Sequence, residues 1–342
     1  KQDMEFDTKI LENNNVMIDD QFIGKINGLK LELDLKKGAL ETDIKSLKKA
    51  ARKTIGPELE KRIQIVIDTG LVELKNDSKI YWNNATIGKL IPGKDYLSPN
   101  IELLVDDMLE QNQKNKLINF LEKWLKNKIS SVLKSLYDLK DLKDKNSSIK
   151  ALAYQLYENN GVLKRDNVSE YLKKLDQNDR KILRDLGVKF GRYHVFLFKL
   201  IKPEPVSLRT LLWKNHNQKY FNLQPPTFGL NFLNDDKIQN INFMLLCGFE
   251  KFNNFYIRID ILERLFMQII NSDTKDIKEI KIIPEMLNLL GCKKDDFKQL
   301  LRAMSYKILE KDNEVFFKYN PKKKVRPQNK KNVKENPFGV LK

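Results

Sequence analysis

Lys114-Asn-Lys-Leu-Ile-Asn-Phe-Leu-Glu-Lys-Trp-Leu-Lys-Asn-Lys-Ile-Ser-Ser-Val-Leu-Lys-Ser-Leu-Tyr137 carries the clearest periodicity in the chain. Leu117, Leu121, Trp124, Leu125, Ile129, Val132 and Leu136 recur at helical spacing and share one face. At roughly 100° per residue, Lys116, Lys123 and Lys134 line up opposite them, within about 20°. Helices dominate from residue 100 onward. Pro99-Asn100 opens one bearing Leu103, Leu104 and Met108, and residues 138–146 form a charged connector. Ser147 or Ser148 caps a helix through Leu152 and Leu156 that ends near Asn159-Asn160-Gly161. Asn167–Leu175 and Asn178–Leu186 follow, the second stopped by Gly187.

Farther along, Val188 to Leu200 turns strand-like and aromatic until Pro203 and Pro205 break it. Ser207–Trp213 is helical, 214–240 is loop-rich, and Gly248–Ile259 is a strand candidate. Ile259–Ile270 is an amphipathic helix through Ile261, Leu262, Leu265 and Ile269. Pro284–Gly291 and Lys294–Met304 are short helices, and Phe316-Phe317 sits in a terminal strand.

Toward the N-terminus the period changes to two. Val16-Met-Ile-Asp-Asp-Gln-Phe-Ile-Gly24 predicts two strands around a turn at Asp19-Asp20, and Leu29–Leu35 alternates strictly. A helix from Thr42 through Ile44, Leu47 and Ala51 is expected to stop at Gly56-Pro57. A second helix starts there with Leu59, Ile63 and Ile67 and ends at Gly70. Leu71 to Leu90 is strand-like again. The expected fold is α+β and predominantly α-helical. A small mixed α/β module occupies 1–100. A larger helical domain with short strands occupies 101–320, and a basic, flexible, disordered tail occupies 321–342. No tandem repeat is evident.

The chain has 342 residues, 41% hydrophobic and 32% charged, which supports a packed core and argues against wholesale disorder. Its 63 Lys and Arg against 46 Asp and Glu give a net +17, which favours a polyanionic partner. The tail holds eight Lys or Arg against one Glu, a net +7 in 22 residues. No run of about 18 apolar residues exists, so no membrane span is expected. Cys247 and Cys292 lie among apolar neighbours and read as buried small hydrophobes in a reducing, cytoplasmic setting. With only two histidines they do not build a tetrahedral zinc site unless all four converge or carboxylates join them. Lys1 stands first, and Glu5, Asp7 and Lys9 interrupt any apolar signal segment. The simplest reading is the later part of a longer chain.

No complete nucleotide-binding or hydrolase motif is present, so no catalytic residue is assigned. Gly88-Lys-Leu-Ile-Pro-Gly93-Lys94 has the glycines and lysine of a phosphate loop. Asp95 stands where the metal-binding hydroxyl belongs, and Pro92 removes a backbone donor. It reads as a chance match. Asp106-Asp107, Asp176 with Asp179, and Asp235-Asp236 read as caps or solvated pairs. Trp82, Trp124 and Trp213 read as core.

Three features point to nucleic acid. Leu186-Gly-Val-Lys-Phe-Gly-Arg-Tyr-His-Val-Phe-Leu197 offers Lys189 and Arg192 to phosphates and Tyr193 and His194 to unpaired bases. Gly187 and Gly191 let its backbone turn or lie close to a partner. The simpler reading of the same stretch is a buried strand with His194 hydrogen-bonded in the core. The Lys116, Lys123, Lys134 stripe fits a phosphate backbone, or equally a solvated helix face. The tail, with Lys322, Lys323, Lys324 and Arg326, adds salt-sensitive, sequence-independent affinity.

Gly187-Val-Lys-Phe-Gly-Arg-Tyr-His-Val-Phe-Leu197, with Lys202-Pro203 and Leu211-Leu-Trp213, resembles the region after the motor in alphaproteobacterial superfamily 2 helicases. These are relatives of the mitochondrial RNA-degradosome helicase. Thr54–Arg62, Ile80–Trp82, Ile87–Leu90, Arg258–Arg264, Leu289–Phe297 and Asn336–Lys342 agree in the same order, so the resemblance spans most of 40–342. Arg192 and Phe198-Lys199 depart from the family pattern. The resemblance implies the C-terminal accessory region of an ATP-dependent RNA or DNA helicase that binds a single strand beside the motor. ATP and Mg²⁺ would belong to motor domains before Lys1, and no cofactor is implied for these residues. RNA or single-stranded DNA is the implied partner, with an exoribonuclease or other RNA-degradation protein as a second. Two other readings remain open. One is a protein-interaction platform. The other is a stand-alone winged-helix-like DNA binder, built from helices at about 147–159, 165–175 and 178–186 and the strands after them.

Overall fold

The computed structural model describes residues 7–34, 41–234, 240–272 and 279–319. It is α+β. The chain divides into two units: 1–230 with 237–250 and 258–263, and 231–236 with 251–257 and 264–342.

The first unit opens with β1 (Thr8–Ile10), β2 (Asn15–Ile18), β3 (Gln21–Asn27) and β4 (Lys30–Leu33), an antiparallel meander in that order. Helix α1 (Glu41–Thr69) follows. Then β5 (Glu73–Leu74), β6 (Lys79–Trp82), β7 (Ala85–Ile91) and β8 (Asn100–Leu103) form a second meander.

The two meanders repeat one another. Ile18-Asp-Asp-Gln-Phe-Ile-Gly-Lys-Ile26 returns as Trp82-Asn-Asn-Ala-Thr-Ile-Gly-Lys-Leu90. Val16 pairs with Gly24 and Ile80 with Gly88, and each ladder shifts register at the next residue. The turn residues match as well. Asp19 and Asp20 have φ 46° and 61°, and Asn83 and Asn84 have φ 47° and 63°. Asx residues tolerate this left-handed pair, which suits the right-handed twist of a hairpin. The two copies are not in tandem, since α1 stands between them. The glycine of the phosphate-loop resemblance, Gly88, lies inside β7, paired with Leu103 of β8.

Two further expectations fail here. α1 runs straight through Gly56-Pro57. An interior proline costs about 3 kcal/mol. Ile55, Leu59, Ile63 and Val66 are all buried on one stripe across it, each contributing about 1.5–3 kcal/mol, so packing outweighs the missing hydrogen bond. The residues after Pro99 form strand β8, not a helix, because Asn100–Leu103 alternates in burial and zips onto β7.

Next come α2 (Gln111–Val132), α3 (Lys134–Tyr137) and α4 (Ser147–Glu158). Leu117, Leu121, Leu125 and Ile129 of α2 are buried as expected, but the long helix breaks at Leu133. Then follow β9 (Val162–Lys164), a 3-10 turn over Arg165–Val168, α5 (Ser169–Lys173), α6 (Gln177–Asp185), β10 (Val188–Phe190) and β11 (His194–Leu197). The three strands form one sheet in the order β10-β11-β9. Asp176 and Asp179 make a capping box at the start of α6. Asp106 is neither a cap nor a solvated pair: it is wholly buried, and its carboxylate accepts the Leu31 N–H of β4 and the Met108 N–H. Asp235-Asp236 lies outside the described residues.

A 3-10 turn over Phe198–Ile201 leads into α7 (Pro203–His216). β12 (Phe232–Asn234), α8 (Ile241–Leu246), β13 (Phe249–Phe252), β14 (Phe255–Arg258) and α9 (Ile259–Ser272) follow. One core cluster runs from Val16 to Leu212, so the expected boundary near residue 100 falls inside the first unit. Trp82 belongs to that core, while Trp124 and Trp213 are half-buried.

In the second unit β12 pairs with β14. After β15 (Ile280–Lys281) come α10 (Pro284–Leu290), α11 (Lys294–Ala303), β16 (Tyr306–Lys311) and β17 (Glu314–Tyr319), with sheet order β15-β17-β16. Phe317 meets Phe297 and Tyr306 edge-on in its core.

Candidate nucleic-acid interface

The stretch Leu186–Leu197 is the β10–β11 hairpin, and its tight turn is held from two sides. Glu263, in the first turns of α9, accepts the backbone N–H of Arg192 at 2.5 Å through Oε2. Its Oε1 accepts those of Tyr193 at 2.8 Å and His194 at 3.0 Å. Arg165 donates to the other side, with Nη1 on the Gly191 carbonyl at 2.8 Å and its N–H on the Tyr193 carbonyl at 2.9 Å. The close partner expected at Gly191 is Glu263 of the same chain, because a Cβ at 191 would lie 2.3 Å from the Glu263 carboxyl carbon.

His194 is only 2% exposed, which corrects its expected role as a base-stacking residue. Its Nε2 lies 3.0 Å from Glu250 Oε2, and its Nδ1 lies 3.5 Å from Glu263 Oε1. Lys164 pairs with the other Glu250 oxygen at 2.9 Å. Tyr193 is half-buried, so its ring is only partly available for stacking. Lys189 and Arg192 are exposed.

Burial by itself lowers the His194 pKa, but the hydrogen bonds and charges of Glu250 and Glu263 outweigh it and raise the value above 6.5. For Glu250, burial raises the pKa, and the His194 and Lys164 hydrogen bonds overcome that and bring it below 4.5. A raised histidine stabilises the fold fully below its unfolded pKa and loses that contribution as pH rises through the folded value. A lowered carboxylate does so above its unfolded pKa and loses it as pH falls. The pair therefore contributes most between about pH 4.5 and 6.5. Melting temperature against pH is expected to fall from pH 6 to pH 9 in the wild type and to flatten over that range in His194→Gln. Parallel curves would show that no proton is held there.

The stripe on α2 is shorter than the sequence suggests. Lys116 and Lys123 are exposed on it. Lys134 lies beyond the break, in α3, and is held by Asp138 at 2.7 Å. The reason is the kink at Leu133, which takes Lys134 out of the helical register. Lys322, Lys323, Lys324 and Arg326 lie outside the described residues.

Arg180 and Arg184, which the sequence offers with Asn178 only toward the winged-helix reading, hold their guanidinium groups 5.4 and 5.7 Å from the Phe190 ring centre. Their i, i+4 spacing on α6 was the available signal for this shared ring. Lys181, Arg184, Lys189 and Arg192 are exposed on α6 and the hairpin, with Lys189 on the other face of β10 from Phe190, its ammonium 5.8 Å from the Phe198 ring centre. Cys247 is buried, and burial pushes its thiol up to about 12. Cys292 is only half-buried, which corrects the second of that pair, and burial lifts it to about 11. Among the described residues no three His, Cys, Asp or Glu side chains gather as metal ligands, and no helix is long and apolar enough to cross a membrane. Comparison of the chain with models of known families, with curated proteins and with solved structures finds no match.

Proposed function

We propose that this chain is a nucleic-acid-binding accessory region of an ATP-dependent helicase, gripping a single strand of RNA or DNA without reading its sequence. One observation carries the binding part of this reading. Residues 147–197 run helix, strand, helix, helix, strand, strand, with the first strand paired beside the last, which is the order of a winged helix. Four exposed cations, Lys181, Arg184, Lys189 and Arg192, cover its third helix and its hairpin. The hairpin turn is fixed by Glu263 and Arg165, so Arg192 sits on a rigid mount. A fixed backbone removes the cost of ordering the turn when Arg192 meets a phosphate, leaving only that of its side chain. The helicase part rests on the sequence resemblance alone. On this reading ATP hydrolysis belongs to other domains.

The same topology favours a second reading, duplex DNA binding through α6. Gln177, Asn178, Lys181 and Arg184 are the exposed side chains there that meet base edges or phosphates.

Fluorescence anisotropy with single-stranded RNA, single-stranded DNA and duplex DNA over a salt series separates these. Affinity for single strands is expected to fall steeply with salt. Lys189→Glu with Arg192→Glu should weaken binding at least tenfold and flatten the logarithmic salt slope by about 0.7 for each phosphate no longer neutralised. Tighter, sequence-dependent duplex binding would select the second reading. No binding at low salt would remove both.

A further inference from the structure

The connector 138–146 and the outer face of α4 enclose a cleft of about 460 Å³. Leu139 and Leu142 underlie it, buried. Tyr154 and Tyr157 stand along α4, and Lys140, Lys143 and Lys150 surround them with a single acid, Glu158. Tyr154 leaves 60% of its surface open, a large value for a ring beside a preformed cleft. The Lys140 ammonium sits 4.2 Å from the Tyr157 ring centre and 5.9 Å from that of Tyr137. Lys150 Nζ donates to the Lys143 carbonyl at 3.0 Å and ties the helix to the connector. Among the described residues no carboxylate pairs with these three lysines.

An exposed flat ring in a concave wall, ringed by unneutralised cations, suits a base and its flanking phosphates. We infer that this cleft takes one nucleotide of a single strand, with the base stacked on Tyr154 and the phosphates among Lys140, Lys143 and Lys150. The inference rests on the nucleic-acid reading above and gives it a second, separate anchoring point. Bases inside a duplex are stacked on each other and do not reach a protein ring, so the site selects single strands. An acidic peptide would satisfy the lysines but leave the ring uncovered.

The test uses the full chain and a short single strand carrying one fluorescent adenine analogue. Stacking on Tyr154 is expected to quench the analogue on binding. Tyr154→Ala should abolish the quench and weaken binding about tenfold without changing the melting temperature, because the ring is exposed. Tyr154→Phe should keep both quench and affinity. Lys143→Ala should flatten the salt slope by about 0.7. Wild-type binding with an unchanged Tyr154→Ala variant overturns the cleft and leaves the nucleic-acid reading standing. Absence of wild-type binding at low salt overturns that reading and the cleft with it. Equal loss in Tyr154→Phe and Tyr154→Ala overturns stacking. Displacement of the strand by polyglutamate as effective as by a second oligonucleotide reassigns the cleft to an acidic protein partner.

Discussion

Glu263→Ala is expected to destabilise the first unit by about 3 kcal/mol, because it strips one carboxylate from three backbone N–H groups at once. Hydrogen bonds to a charged acceptor contribute about 1.5–3 kcal/mol each. The Arg192 amide, at the exposed tip, recovers most of its loss from water. The Tyr193 and His194 amides are part-buried and recover less. Glu263→Gln should fall between wild type and Ala. Its carbonyl replaces Oε1, but its NH₂ then faces the Arg192 N–H, donor against donor. Gly191→Ala should reproduce much of the Glu263→Ala loss by a different route. Its new methyl lies 2.5–2.6 Å from both carboxylate oxygens and pushes them off the amides. The diagnostic result is the double variant. Once Glu263 is Ala, the methyl at 191 no longer meets the carboxylate, so the two losses should fall well short of adding. Denaturant melts of the four proteins measure this, and additive losses would show that the carboxylate does not hold the turn.

Arg209→Leu is expected to cost about 4 kcal/mol. Arg209 is wholly buried on α7 and no carboxylate faces it among the described residues. Its guanidinium instead donates to three carbonyls: Asn160 at 2.7 Å, Leu200 at 3.2 Å and Leu246 at 3.1 Å. It thus joins the end of α4, the 3-10 turn before α7 and the end of α8. Tyr96 closes the same spot, its hydroxyl donating to Asn160 Oδ1 at 2.5 Å. Burial pushes that phenol up to about 12. Burying a cation without a counter-charge is costly, so removing it returns some free energy. Each abandoned buried carbonyl, however, costs about 1–3 kcal/mol. Three of them outweigh the gain. Arg209→Lys should recover only part of the loss, since one ammonium does not span three diverging acceptors. A melting temperature for Arg209→Leu within a degree or two of wild type would mean that the carbonyls find water.

The parts of this fold legible in the sequence are those governed by local rules. The Asp19-Asp20 turn, the alternation over Lys30–Leu33, the buried apolar stripe of α2 from Leu117 to Ile129 and the stop at Gly187 depend on residues close in the chain, and all appear where expected. The misreadings share another cause. Pro57 ends a helix by local rule, yet a buried stripe assembled from both sides carries α1 past it. Leu103 and Leu104 suit a helix until β7 offers them a ladder. The hairpin 186–197 stands out in the sequence, but its histidine and glycine answer to Glu250 and Glu263, some 55 to 75 positions away. No spacing rule links such distant positions. Arg209 is invisible for the same reason, because nothing in Ser207–Trp213 says that three carbonyls converge on it. The cleft at Tyr154 is hidden by its own helix. A tyrosine on a helix facing solvent looks ordinary until the connector folds over it.

The duplicated meander has a consequence for how the chain assembles. Each copy carries its own tight turn, and hairpins of this kind close in microseconds from neighbouring residues. The nascent protein therefore holds two interchangeable starting points and one tempting error, in which either hairpin takes up the other's closing strand. What tells the copies apart is the return path. Two residues bring β4 back onto β3, whereas eight separate β8 from β7. The shorter link commits its strand before the longer one can compete for it. Two stretches that say almost the same thing are thus sorted by the length of chain that follows each of them.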